Sequence, residues 1–322
     1  MVVVATALLM LLIGGTRYPG LGSVVYEKNS LYHRIFVFQD GPLVTLQLGR
    51  VDPRLMQSQV DKRDLRRHML EYTGMMFCGL LYSPQPRKAL VLGLGGGVIP
   101  RELRHYFPEC EIDVAEIDPE IPPVAERFFA FSTDEKLKVH VADGRMFIKK
   151  QLRSEPVAKY DIVILDAFNS DYIPFHLMTR EFLQEVKAIL SEDGVVVANV
   201  FYSNRLFDAE FKTFLDVFGR CEAFFGTDST NAMLVSGGSK MPALTARQLG
   251  ARAAELQDKH PFAFDLRTVA GKFRPGARPN PQAKVLTDDL APVNWLREQE
   301  REAERPEVLH PSPEPPPAPP KR

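Results

Sequence analysis

Residues Lys88 to Gly97 read KALVLGLGGG, and their reading decides the fold. Ala89 to Leu92 and then Leu94 are apolar around Gly93, and the run closes on Gly95, Gly96 and Gly97. A continuous apolar run bounded by turn residues is the pattern of a strand buried on both faces. Glycines at its carboxyl end let the chain turn sharply and let a ligand approach the amino end of the next helix. Val98 to Tyr106 follows at once and is helix-compatible. The stretch reads as the first βα turn of a nucleotide-binding α/β domain.

Regular alternation continues outward from it. Strands are expected at Ile112–Ile117, Leu137–Ala142, Tyr160–Ala167 and Gly194–Phe201. Helices are expected around Pro123–Phe129, Gly144–Leu152, Thr179–Leu190 and Phe207–Phe218. Glu222–Gly226 and Ala232–Ser236 would close the sheet as an antiparallel hairpin. The expected fold is therefore α/β and Rossmann-like, a mostly parallel sheet with a C-terminal antiparallel hairpin. Ahead of it, short β-type runs between Val24 and Leu48 predict a small antiparallel β-subdomain over 22–60. Asp61 to Leu81 reads as a helix from the spacing of Leu65, Met69, Tyr72, Met76 and Leu80. Ala243 to Asp258 reads as a late helix, and Pro261 to Gln282 as loop-rich. The Rossmann-like domain is placed at 61–296.

The two ends differ in composition. Residues 1–21 open on MVVVATALLMLLI, 13 almost wholly apolar residues with no Lys or Arg before Arg17. That is shorter than the roughly 20 residues of a spanning helix. Three readings stand: an atypical signal or anchor, the last turns of a membrane segment, or a buried element. Residues 297–322 combine charge runs with eight prolines, which predicts a disordered tail. Over 322 residues the net charge is −1, so nothing favours capture of nucleic acid. Three separated cysteines match no zinc spacing or disulfide framework, and no metal is expected. The expectation is a cytoplasmic protein, membrane-associated if the apolar segment acts as an anchor.

Ligands of open α/β sheets bind outside the carboxyl ends of the strands, and four strand ends here carry polar features. The first has Gly93, Gly95, Gly96 and Gly97. The second ends Glu116-Ile117-Asp118, about 20 residues on, where a carboxylate can accept ribose hydroxyls. The third ends Asp143-Gly144, where an acid can accept the exocyclic amine of adenine or cap the next helix. The fourth ends at Asp166. A nicotinamide dinucleotide asks for GxGxxG, but position 98 is Val98. A sulfonium nucleoside such as S-adenosylmethionine suits this set of acids better.

Several longer segments resemble the polyamine aminopropyltransferases, spermidine synthase and its relatives. They are the glycine turn, AEID (115–118), ADGRMFI (142–148), YDIVILDAF (160–168), IPFHLMTREFLQEVKAIL (173–190), GVVVANVF (194–201), and LTDDLAPVNWL (286–296). QSQVD (57–61) and LEYT (70–73) add to the likeness, which spans roughly residues 22 to 296. The resemblance implies a Rossmann-like S-adenosylmethionine-dependent transferase fold. It implies transfer of an aminopropyl group from decarboxylated S-adenosylmethionine to an amine such as putrescine. Asp166 matches the base, and Glu116, Asp118 and Asp143 match the nucleoside-binding acids. Gln57 and Tyr72 match positions that shape the donor and amine pocket. A homodimer is a further implication. Two departures bear on the substrate. Val98 stands where the family places an acid after the glycines, and Asn169, with Asp171 as a displaced substitute, stands where it places a second acid for the amine. An S-adenosylmethionine-dependent methyltransferase, or a non-catalytic nucleoside- or polyamine-binding module, are the alternatives. Retention of Asp166 counts against the last, since binding alone needs no base.

Overall fold

The computed structural model describes residues 17–54, 56–167, 174–204 and 206–289. Residues 1–16 of the expected apolar segment, the expected tail over 297–322, and the candidate residues Asn169 and Asp171 lie outside the described residues.

The β-type runs near the start form a five-stranded antiparallel meander of β1 (Arg17–Tyr18), β2 (Gly22–Asn29), β3 (Arg34–Asp40), β4 (Leu43–Leu48) and β5 (Ser58–Asp61). Period-two alternation sorts its side chains. Ile35, Val37, Val44, Leu46 and Val60 join the main core, while Phe36 and Phe38 pack with Leu21 on the opposite face.

The helix expected over Asp61–Leu81 is mostly absent. Helical structure starts only with α1 (Glu71–Met75), which passes into a 3₁₀ turn over Met76–Leu81. Local side chains explain the loss. Asp61 accepts from the backbone N–H of Arg63 at 3.0 Å and from its guanidinium at 2.7 Å, and Asp64 accepts from the N–H of Arg66 at 3.2 Å. Such Asx turns compete with helical hydrogen bonding.

The apolar run at Lys88 becomes β6 (Lys88–Leu92), followed by α2 (Val98–Tyr106), β7 (Glu111–Glu116), α3 (Ile121–Phe128), β8 (Leu137–Val141), α4 (Gly144–Leu152), β9 (Tyr160–Leu165), α5 (Arg180–Ile189), β10 (Leu190–Phe201), α6 (Phe207–Phe218), β11 (Glu222–Phe225), β12 (Asn231–Gly237) and α7 (Ala246–Lys259). A short α8 (Leu266–Gly271), capped by Asp265, interrupts the stretch read as loop. The seven strands lie in the order β11-β12-β10-β9-β6-β7-β8. β10, β9, β6, β7 and β8 are parallel, and at one edge β12 pairs antiparallel with β10 and β11 antiparallel with β12. β6 is thus the middle of the parallel set. The chain leaves it for β7 and β8 on one side and returns to β9 and β10 on the other, which makes the gap between β6 and β9 the topological switch point.

Both faces of the sheet are covered. Val91, Val114, Ile164, Val197 and Val235 face the core shared with α2, α3, α7 and the 3₁₀ turn. Leu90, Leu92, Val163, Leu165, Val196 and Leu234 face α4, α5 and α6. α5 shows why it packs: Phe182, Leu183, Val186 and Ile189 form one stripe and are all fully buried. Each such side chain contributes about 1.5–3 kcal/mol on burial. Among the described residues no helix is long and apolar enough to cross a membrane.

Candidate active site

One sheet face changes from apolar to polar at the carboxyl ends of the parallel strands. On β7, Ile112 and Val114 lead to Glu116; on β6, Ala89 and Val91 lead to Gly93. On β9, Ile162 and Ile164 lead to Asp166; on β10, Val195 and Val197 lead to Asn199. β12 runs the other way, so its Val235 and Met233 step back to Asn231 at the same end of the sheet. Glu116, Gly93, Asp166, Asn199 and Asn231 all line a single cleft of about 1250 Å³.

The glycine turn serves two surfaces. Gly93 (φ 93°) and Gly95 (φ 53°) line the cleft, and both need the left-handed region that glycine supplies without strain. A Cβ on Gly93 would stand 2.5 Å from the carbonyl oxygen of Asp166. Gly96 and Gly97, expected in the nucleoside site, are absent from the cleft lining. A Cβ on Gly96 would meet Phe129 at 2.8 Å, and one on Gly97 would meet Phe131 at 2.4 Å. These two allow close packing beneath the turn, and the N–H of Gly96 donates to Ser58 Oγ at 2.8 Å.

Glu116 and Asp118 part company. Glu116 borders the cleft and accepts from the N–H of Leu94 on Oε2 and of Asp118 on Oε1, both at 2.9 Å. Burial pushes its carboxyl above the ordinary value, with those two donors opposing. A carboxylate offers about four lone-pair directions, so capacity remains for hydroxyl donors. Asp118 is fully buried and does not reach the cleft. It accepts from Ser30 Oγ at 2.5 Å, His33 Nδ1 at 3.1 Å and the N–H of Glu120 at 3.0 Å. The strand ends at Glu116, and beyond it the chain turns Asp118 toward the β2–β3 connection. Its observed contacts tie the two sheets together.

Asp143 lines the cleft and also caps α4. Its Oδ1 accepts from the N–H of Met146 at 2.9 Å, and its Oδ2 lies 2.9 Å from Nε2 of His176. The His176 hydrogen bond holds its carboxyl below the ordinary range against the opposing effect of burial. Gly144 follows, with room for a Cβ only 3.0 Å from Leu92.

Asp166 sits at the switch point, its N–H donating to the carbonyl of Leu92 at 2.9 Å. Part of it is open to the cleft, while the protein walls in the rest. Burial pushes its carboxyl up to about 7, opposed by one hydrogen bond from Asn199 Nδ2 at 2.9 Å. Asn231 Nδ2 in turn donates to Asn199 Oδ1 at 2.8 Å. Tyr72 lines the cleft from α1; its hydroxyl donates to the carbonyl of Gln57 at 2.6 Å, and burial pushes its pKa well above the ordinary value, with the charge of Asp166 adding to it. The Gln57 side chain accepts from the N–H of Leu48 at 2.9 Å. Val98 lines the cleft at the start of α2.

His176, Asn199, Asn231 and Glu71 are among the cleft residues that the sequence did not single out. The two asparagines left a signal, a polar residue at an inward position of an apolar strand. His176, from a 3₁₀ turn, left none. Glu71 accepts from the N–H groups of Thr227 and Asp228 at 2.9 and 3.0 Å and pairs with Lys272. Burial disfavours its charge, yet Lys272 and these donors bring it down to about 2. It clamps the β11–β12 turn to α1. Among the described residues no group of three or more His, Cys, Asp or Glu is placed to hold a metal ion.

A parallel sheet with an antiparallel edge, a glycine turn at its switch point and a strand-end acid on each neighbour define a Rossmann-like transferase of the S-adenosylmethionine-dependent type. Residues 69–226 match the spermine/spermidine synthase domain. Over 283 residues the chain is 37% identical to a polyamine aminopropyltransferase of Vibrio vulnificus, covering 86% of this chain and 93% of that one. The chain therefore belongs to the spermine/spermidine synthase family. A spermidine synthase of Thermotoga maritima shares the fold at TM-score 0.62, with 19% identity over 79% of this chain and 85% of its own. Human methyltransferase-like protein 13, in complex with SAH, superposes at TM-score 0.55 with 28% identity, over 69% of this chain and all of its own.

Proposed function

We propose that the cleft binds decarboxylated S-adenosylmethionine beside an alkylamine and transfers the aminopropyl group, with Asp166 as the base. The observation that carries this reading is the place of the Asp166 carboxyl, which lines the cleft at the switch point with the neutral amide of Asn199 at 2.9 Å, where burial pushes it up to about 7. An alkylamine with a pKa near roughly 10 arrives protonated and cannot attack until it gives up a proton. A base matched to neutral pH can take it. The amine nitrogen then bonds to the methylene carbon attached to the sulfonium. The carbon–sulfur bond breaks, its electron pair goes to sulfur, and neutral methylthioadenosine leaves. Glu116 accepts from the ribose, Asp143 with His176 faces the adenine, and Gly93 and Gly95 let the sulfonium end approach the turn. Asn169 and Asp171 remain candidates for the amine.

A methyltransferase is the second reading. It is favoured by Val98, which puts an apolar side chain in the cleft where an acid would hold the donor's primary amine. Incubation with putrescine and each donor separates the two. Methylthioadenosine is the expected product; S-adenosylhomocysteine from S-adenosylmethionine would replace the first reading by the second.

A further inference from the structure

Among the described residues Asp166 has one side-chain hydrogen-bond partner, the amide of Asn199, and the effect of that partner depends on which way the amide faces. An asparagine amide is nearly symmetric in shape, so rotating it by half a turn exchanges Nδ2 with Oδ1 at little steric cost. With Nδ2 toward Asp166 the amide favours the ionised carboxylate; with Oδ1 there it favours the protonated one. On the other side of Asn199, Asn231 Nδ2 donates to Asn199 Oδ1 at 2.8 Å. Asn199 and Asn231 are 2% and 7% exposed, so little water competes for these atoms. In such surroundings hydrogen bonds are electrostatically stronger.

Topology brings the three together. β9 and β10 are parallel neighbours with Ala198 beside Leu165, which sets Asn199 next to Asp166. β12 returns antiparallel with Asn231 beside Phe201, so its side chain reaches diagonally to Asn199.

We propose that Asn231 is a positioning residue for Asp166: by donating to Asn199 it holds that amide with its nitrogen toward the carboxylate, and so sets the pH at which Asp166 loses its proton. The kinetic consequence rests on the reading of Asp166 as the base; the effect on its titration does not. The other ionisable groups lining the cleft are Tyr72, whose pKa the charge of Asp166 raises, Glu71, Glu116, Asp143, His176, His68 and Asp228, and, from the connections of the antiparallel sheet, Tyr32, His33, Arg50, Asp52 and Arg54. Glu71 is locked to Lys272, and His68 is kept neutral by burial, first, and by Arg101, its pKa falling to about 4.

The test follows the carboxyl carbon of Asp166 by NMR in Asp-labelled protein, assigned by its loss in Asp166→Asn, alongside the pH profile of kcat/KM. In Asn231→Asp the new side chain only accepts when ionised, so Asn199 turns its nitrogen to it and its oxygen to Asp166. The Asp166 midpoint should rise by about one pH unit or more. Asn231→Leu, close in shape and without charge, donor or acceptor, should raise it less, and it decides the test, because the charge of Asn231→Asp raises the midpoint by itself. The acid limb of kcat/KM should move with the midpoint. Midpoints unchanged from wild type overturn the proposal. A midpoint that moves while the kinetic limb stays keeps Asn231 in this role and removes Asp166 as the base.

Discussion

The two halves of the cleft floor treat their carboxylates in opposite ways. At the ends of β7 and β8, backbone N–H groups donate to both oxygens of Glu116, and Asp143 is shared between a helix cap and His176. At the ends of β9, β10 and β12 there is one carboxylate, faced by a neutral amide that is itself held by another. Several fixed donors stabilise a carboxylate's charge and suit it to holding hydroxyls and amines in place. A single neutral donor in a walled-in position leaves the proton poised to move near neutral pH. Burial raises both Glu116 and Asp166, but only Glu116 has two donors opposing it. On the proposed reading, one half grips the donor while the other exchanges a proton.

The largest effect should come from the exchanging half. Asp166→Asn should lower kcat by about 10²–10⁴-fold and leave donor affinity, measured by calorimetry, close to wild type. Loss of donor binding with kcat retained would reverse the assignment of the halves. In the wild type, a carboxyl at about 7 is protonated below that pH and cannot accept the amine's proton. The kcat/KM profile should therefore fall about tenfold per unit on the acid side. Next in size, Glu116→Gln should weaken donor binding by roughly tenfold or more, the scale of a hydrogen bond to a charged group, with kcat little changed.

Asp118→Ala sharpens the comparison from outside the cleft. Ser30, His33 and the N–H of Glu120 lose their acceptor, and unfolding in urea should show a loss of about 1–3 kcal/mol. Donor affinity should fall much less than in Glu116→Gln. Equal losses of affinity would return Asp118 to the nucleoside site.

These residues also show how far the sequence could be read. Gly93, Glu116, Asp143 and Asp166 were legible because each falls at the carboxyl end of an expected strand, and the strand-end rule applies locally. Asp118 shares the strand phase of Glu116, and what separates them is where β7 stops and where the β2–β3 connection arrives, a matter of tertiary packing. Gly96 and Gly97 belong to the same run as Gly95, but Phe129 and Phe131 lie beneath them, beyond α3. Asn199 and Asn231 break apolar strands, yet only the antiparallel return of β12 sets one beside the other. The misread segment after Asp61 had apolar spacing suited to a helix, and the short acidic side chains of Asp61 and Asp64 decided otherwise.

The smallest effect is on stability, and it has a definite sign. Burial pushes the carboxyl of Asp166 up to about 7 in the fold, whereas unfolding returns it toward its ordinary value of 3.8. The folded state thus holds a proton that the unfolded state has released, and wild-type stability falls as pH rises from about 4 to about 7. In Asp166→Asn the amide oxygen can still accept from Asn199, and no buried charge forms. The variant should therefore be more stable than wild type at pH 8, by about 1–2 kcal/mol once the opening to cleft water is allowed for. The gain should shrink toward pH 5. Glu210, buried with Oε2 unpartnered among the described residues and pushed up by burial to about 8, adds a slope of the same sign. That contribution is common to both proteins and cancels in their difference. A gain that did not depend on pH would mean that the base half carries no strained charge, and the contrast between the two halves would lose its electrostatic origin.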